Sequence, residues 1–209
     1  MSGVGDPKSP APGWLEDAVR LVRGGGVVAL PFERLFGLAA DALDPAAVER
    51  VAAVKGRDAL PRERRPLPVI LPDAAAIDQV AREVPPLAMR LAKAHWPGLL
   101  TLLVPARDDL PERLVGAARL VGVRLPGPSP AADLARASGR VLTATSANPS
   151  GAADTRDSAR LHELDGIDMV VPGEVPGPPG STVVDCSGDE PVVVRAGALA
   201  LGADAGGGG

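Results

Sequence analysis

Four apolar residues, Val27 to Leu30, lie between the triplet Gly24-Gly25-Gly26 and Pro31. A proline has no N–H to give a central ladder, and glycines end helices. The run therefore predicts a short buried strand that stops at residue 31. The stretch Phe32-Glu33-Arg34-Leu35-Phe36-Gly37-Leu38 reads as a loop dense in side chains that can reach a ligand. Asp44 and Pro45 then supply an N-cap and a first helical residue, and Val48, Val51 and Ala52 share one apolar face. This helix closes on Lys55-Gly56-Arg57. Two cations astride a glycine, after strand, loop and helix, fit a mouth for an anionic substrate. The same three residues also suit an ordinary helix C-terminus, with glycine in the left-handed cap and cations complementing the dipole.

The rest of the chain repeats this alternation. Apolar residues at 14, 15, 18, 19 and 22 predict a helix over Trp14–Arg23, ended by the glycine triplet. A polar loop spans 59–65. Leu67–Leu71 is a strand that Pro66 and Pro68 place at an edge or make irregular at its start. Asp73 caps a short helix, and Pro85 opens a longer one that stops near Trp96-Pro97-Gly98. Leu99–Val104 carries no charge and reads as a buried strand, and Pro111–Val115 as one helical turn. Val121–Leu125 is a strand with Arg124 near its end. Pro130–Ser138 is a helix ended by Gly139, and Val141–Thr145 a strand running into Ser146-Ala147-Asn148-Pro149-Ser150-Gly151. A helix over 157–164, a strand over Ile167–Val171, a Pro/Gly loop over 172–180 and strands at Ser181–Asp185 and Val192–Arg195 follow. Some connections are too short for a crossover helix, so the expected fold is one α/β domain on a mixed sheet. Residues 13–201 form that domain, with a disordered tail over 1–12 and a flexible one over 202–209.

Composition narrows the function classes. The chain has 209 residues, two Trp, two Phe and no Tyr, so its core is aliphatic. No apolar run approaches the ~20 residues that span a bilayer. No N-terminal export segment is seen, so a cytoplasmic location without membrane contact is expected. One cysteine, Cys186, excludes an intramolecular disulfide and a cysteine-cluster metal site, and packs as a small apolar residue. His95 and His162 have no partner at metal-ligand spacing and read as a helix-end and a surface residue. Net charge is −4, but the segment Lys55–Arg65 holds five cations against Asp58 and Glu63, which is +3, so the remainder is −7. A local cationic surface on an acidic protein suits a small polyanion or a short RNA contact better than long duplex binding.

Seven short motifs occur in order: 31–38, Lys55-Gly56-Arg57, Trp96-Pro97-Gly98 with Leu100-Thr101-Leu102, Val123-Arg124-Leu125-Pro126, Thr145 to Gly151, Ser181 to Asp185, and Arg195-Ala196-Gly197. The set resembles the YrdC family, the threonylcarbamoyl-AMP synthases, over nearly all of Trp14–Ala198, in its short form. The resemblance implies a twisted mixed α/β sheet with a concave cationic groove. The implied activity joins L-threonine, bicarbonate and ATP, with Mg²⁺ arriving on the nucleotide, into threonylcarbamoyl-adenylate and pyrophosphate. Partner proteins would pass the product to tRNA, with a possible direct tRNA contact.

Residue by residue, the resemblance implies that Lys55, Arg57, Ser146 and Asn148 carry the catalytic site. It places Arg57, Arg65, Ser146, Asp154 and Arg195 on ATP, and Arg34, Ile70, Arg124, Ala144 and Ser181 on the amino acid. Arg124 would take the carboxylate. The departures gather in the amino-acid half. The usual Pro-Thr-Glu-Thr-x-Tyr-Gly-Leu reads here Pro31-Phe32-Glu33-Arg34-Leu35-Phe36-Gly37-Leu38, Ile70 stands for a histidine, and the loop between Arg57 and Pro66 is about three residues longer. An arginine facing the substrate predicts that threonine is a poor substrate and that an acidic amino acid, or none, does better, unless Glu33 swings Arg34 away. The alternative function is a paralogue that binds RNA or nucleotide in the same groove without this activity; RNA recognition of that kind wants stacking aromatics beside the cations, and only Phe32 and Phe36 are near, which weakens it.

Overall fold

The computed structural model describes residues 12–56, 66–148 and 158–201. Helix α1, Trp14–Arg23, runs as its periodicity predicts and stops at the glycines, where Gly24 N–H returns to the carbonyls of Arg20 and Leu21. Strand β1, Val28–Pro31, turns at once into β2, Phe36–Ala39. The pair is antiparallel, with Val28 opposite Ala39 and Pro31 opposite Phe36. The expected loop over 32–38 is therefore only a four-residue turn, closed by Phe32 N–H on the Leu35 carbonyl at 2.9 Å. All four β2 residues are buried, so the strand has no polar alternation to betray it. Gly37 is required there: a Cβ would lie 2.4 Å from the Phe32 ring.

Helix α2, Pro45–Val54, is capped by Asp44, whose Oδ1 accepts from Ala46 N–H at 2.9 Å. It ends on Gly56 at φ 61°, the left-handed cap. Strand β3, Val69–Ile70, starts late behind its prolines, yet it is interior. It lies parallel to β5, Leu120–Arg124, and antiparallel to β6, Leu142–Thr143. The edge position expected from Pro66 and Pro68 is not taken, because both prolines precede the paired residues. Asp73 caps a 3₁₀ turn over Ala75–Gln79. Helix α3, Pro86–His95, leads to β4, Leu100–Pro105, and a 3₁₀ turn at Glu112–Leu114 precedes β5. Helix α4, Pro130–Ser138, is capped by Ser129 and ended by Gly139.

The expected strand over 141–145 is two strands. β6 pairs with β3, whereas β7, Thr145–Ser146, pairs with β2. The break falls at Ala144, whose N–H is held by the Pro68 carbonyl at 2.8 Å. Strands β8, Met169–Val170, β9, Thr182–Asp185, and β10, Val192–Arg195, complete two hydrogen-bonded sheets. Their orders are β7-β2-β1-β8 and β10-β9-β4-β5-β3-β6, and both are mixed. Thr143 ties them where they meet: its buried hydroxyl donates to the Leu38 carbonyl and accepts from Ala40 N–H.

The mixed α/β fold class is as expected, built on an aliphatic core in two parts. Val27 and Ala29 of the β1 run face the larger part, with Val48 and Val51 of α2 and Leu87 and Leu91 of α3. Val28 and Leu30 face the smaller, with Ala18 and Val22 of α1 and Leu134 of α4. This strand is buried on both faces, which is why it reads as a continuous apolar run. Cys186 is buried, which pushes its thiol up to about 11. His95 ends α3 and His162 is exposed. The expected tails, apart from Pro12, and the 59–65 loop lie outside the described residues. None of the described helices is long and apolar enough to cross a membrane.

Candidate active site

A groove of about 440 Å³ is lined by the β1–β2 turn and β7 of one sheet and by Val69, Thr101, Arg124 and Arg195 of the other. That volume is in the range of small-molecule sites. The groove takes residues from both sheets, and the chemistry in and beside it falls into three clusters.

In the first, Lys55 leaves the C-terminus of α2 and is almost completely buried, with 2 % of its surface exposed. A buried ammonium needs acceptors for its donors. Lys55 Nζ donates to the Ser146 carbonyl at 2.6 Å, to Asn148 Oδ1 at 2.7 Å and to Ser146 Oγ at 3.3 Å. Ser146 Oγ in turn donates to Asn148 Oδ1. Two motifs separated by about ninety residues thus meet through one cation. Lys55 organises the turn after β7 and is not an exposed point charge at the groove mouth, as its motif suggests. Arg57, Arg65 and Asp154 lie outside the described residues.

In the second, Ser181 Oγ and Thr101 Oγ1 are 2.8 Å apart. Arg195, at the end of β10, donates to the Ser181 carbonyl at 3.0 Å and to its hydroxyl at 3.3 Å. Ala144 also lines the groove, at the point where the chain changes sheet.

In the third, Arg124 donates through Nη1 to Glu33 Oε1 at 2.6 Å, with both side chains nearly buried. Gly127 N–H donates to the same oxygen at 2.8 Å. The Arg124 guanidinium carbon stands 5.9 Å from the centroid of the Phe32 ring, within cation–π range. Arg34, next in the chain, turns the opposite way. Its Nε donates to the Gly177 carbonyl at 3.0 Å and its Nη2 to the Pro178 carbonyl at 3.3 Å, while Gly177 N–H returns to the Arg34 carbonyl at 2.8 Å. Glu33 therefore partners Arg124 and not Arg34, contrary to the pairing considered from sequence. Arg34 lies on the groove rim as a tie to the Pro/Gly loop.

Ile70 is a correction. It is fully buried on β3 and packs in the smaller core with Leu134, Leu142 and Phe32, so it does not line the groove. The two phenylalanines are also unsuited to base stacking, since Phe32 is 8 % and Phe36 1 % exposed. This removes the aromatic platform that the RNA-binding alternative needs.

Sequence reasoning missed Thr101 and the partner of Glu33. The cue for Thr101 was available: it is the one polar residue in Leu99–Val104. No cue gave the partner of Glu33, because Arg34 is adjacent and Arg124 is 91 residues away. Among the described residues, no three His, Cys, Asp or Glu side chains stand together as a metal site.

Comparison with known proteins finds a family and several relatives. The Sua5–YciO–YrdC family model, described as telomere recombination, matches residues 20–197. The threonylcarbamoyl-AMP synthase of Bacillus subtilis is 36 % identical over 192 residues, covering 88 % of this chain and 54 % of that protein. The chain thus spans about half the length of that relative. The threonylcarbamoyl-AMP synthase of Halorhodospira halophila is 37 % identical over 176 residues, covering 82 % of this chain and 88 % of that one. The crystal structure of Pyrococcus abyssi Sua5 complexed with L-threonine superposes with a TM-score of 0.80 at 35 % identity, over 88 % of this chain and 54 % of that one.

Proposed function

The chain belongs to the Sua5–YciO–YrdC family, and from that premise we propose that residues 13–201 act as a threonylcarbamoyl-AMP synthase. L-threonine and bicarbonate condense to the carbamate with loss of water. A carbamate oxygen then attacks the α-phosphorus of ATP, and pyrophosphate leaves. Such a transfer depends mainly on positioning and on neutralising phosphate charge.

The observation that carries this reading is the junction of Lys55 with Ser146 and Asn148 beside a groove that Ser146 and Arg124 both line. Lys55 fixes the Ser146–Asn148 turn, and the role of binding ATP is assigned to Arg57, Arg65, Ser146, Asp154 and Arg195. Mg²⁺ comes with the ATP phosphates. Arg124 takes the threonine carboxylate, with Ser181 and Ala144 beside it. The product would serve tRNA modification in the cytoplasm, with partner enzymes and a transient tRNA contact. Threonine is favoured over an acidic amino acid because Arg34 spends two donors on the carbonyls of Gly177 and Pro178.

The test is incubation of the protein with ATP, Mg²⁺, bicarbonate and a panel of amino acids, followed by mass spectrometry of AMP-linked products. Threonylcarbamoyl-AMP is expected as the main product. Pyrophosphate release with no carbamoyl-adenylate from any amino acid would overturn the reading.

A further inference from the structure

We infer that Glu33 and Arg124 together read the head group of the substrate as an α-amino acid, with Glu33 Oε2 receiving the α-amino N–H. This rests on the function proposed above and adds a residue and a role to it. Glu33 Oε1 already accepts from Arg124 and from Gly127 N–H. Its second oxygen, Oε2, is buried and accepts from no donor among the described residues. A buried carboxylate oxygen left without a donor is costly, so such an atom calls for a partner. Glu33 lines the groove, so a small turn of its carboxylate as a ligand enters lets that ligand supply one.

The pair has the right chemistry for one class of ligand. Arg124 has five N–H donors, and among the described residues its hydrogen bond is to Glu33 alone. The rest of its planar fork remains for a carboxylate, which it can take bidentately. The Phe32 ring behind it and Glu33 beside it hold that fork in place. A free α-amino acid carries an ammonium and a carboxylate on one carbon. Laid against Glu33 and Arg124, it places each charge against its opposite, and the four groups sum to zero. A deaminated hydroxy acid offers only the carboxylate and leaves Oε2 unpaired. The pair therefore selects for the amino acid head, whatever its side chain. After carbamate formation one N–H remains on the nitrogen, so the same oxygen keeps its donor.

Calorimetry of wild-type protein and Glu33→Gln with L-threonine and with 3-hydroxybutyrate, which lacks the amino group, separates the outcomes. Wild type is expected to prefer threonine by about ten- to a hundredfold, the worth of one charge-assisted hydrogen bond. In Glu33→Gln an amide replaces the carboxylate, and the preference should fall to about threefold or less while 3-hydroxybutyrate binding changes little. If the variant weakens both ligands equally, Glu33 only supports Arg124 and the inference is wrong. If wild type binds both ligands equally well, it is wrong without recourse to any variant. If wild type binds ATP but no amino acid, the proposed function itself fails.

Discussion

Lys55 Nζ lies 2.7 Å from Asn148 Oδ1, and the same ammonium holds the Ser146 backbone carbonyl at 2.6 Å. The stronger half of this contact is to the main chain, so the two partners should respond differently to mutation. Lys55→Met leaves buried acceptors without a donor and is expected to cost about 1–3 kcal/mol. That corresponds to a fall in Tm of roughly 2–12 °C for a chain of this size. Ser146→Ala keeps the bonds of Lys55 to the residue-146 carbonyl and to Asn148, loses only those of the hydroxyl, and should cost less than about 1 kcal/mol. Thermal melts of both variants check the order, and equal losses would mean that the serine hydroxyl matters more than its carbonyl.

A second expectation concerns Arg124 and Glu33, which are 9 % and 12 % exposed. Removing one member of a nearly buried ion pair strands the other. Arg124→Ala should therefore destabilise by about 3–5 kcal/mol. The double variant Glu33→Ala with Arg124→Ala should recover part of that loss, because no buried charge is left over. Urea denaturation of the two single variants and the double measures the coupling, and strict additivity would show that the pair is better solvated than its geometry suggests.

Arg34 gives a third. Its two side-chain bonds to the Gly177 and Pro178 carbonyls tie the loop over 172–180 to the groove rim. Arg34→Ala should change global stability by no more than about 1 kcal/mol. It should speed amide hydrogen exchange within the loop and raise the KM for threonine more than it lowers kcat. Restoring the family residue, Arg34→Thr, should loosen the loop in the same way. Unchanged exchange in the loop would show that the arginine is not its anchor.

The pH dependence of stability follows from Asp168. Its hydrogen bonds from Arg50, and then from Val27 N–H, hold its carboxyl below the usual carboxylate value, against the opposing effect of partial burial. A carboxylate with a lowered native pKa stabilises the fold above its unfolded value of about 3.9, and that stability is lost as pH falls. Asp168→Asn should melt lower than wild type at pH 7. The gap should close as the pH drops below about 4. A gap that stays constant from pH 7 to pH 3 would assign the effect to packing instead.

The elements with local punctuation were legible in the sequence. Trp14–Arg23, Pro130–Ser138 and the Asp44-Pro45 start of α2 carry their caps within a few residues. The β1–β2 hairpin was half hidden, since Phe36–Ala39 is buried on both faces and follows charged residues that look like a loop. The sheet change at Ala144 could not be read, because Leu142 to Ser146 is one continuous strand-like stretch and only its partners differ. At the site, the motifs named Lys55, Ser146 and Asn148 without revealing that they touch. Ile70 was misplaced by counting along the chain, which carries no information on which way a strand residue faces. For Glu33 the sequence offers only its neighbour Arg34 as a possible partner, whereas its partner comes from the other sheet.

The change of sheet at Ala144 bears on how any variant of this protein is judged. Glu33 follows a strand of the smaller sheet and Arg124 ends a strand of the larger, while the chain itself passes between the two at residue 144. The groove is walled by residues of both sheets, Ala144 at the crossing included. Repacking either core shifts one wall against the other and so alters the spacing of the groups that a ligand must meet. Loss of ligand affinity in a core variant is then a mechanical effect, and it does not by itself identify the altered residue as one that binds.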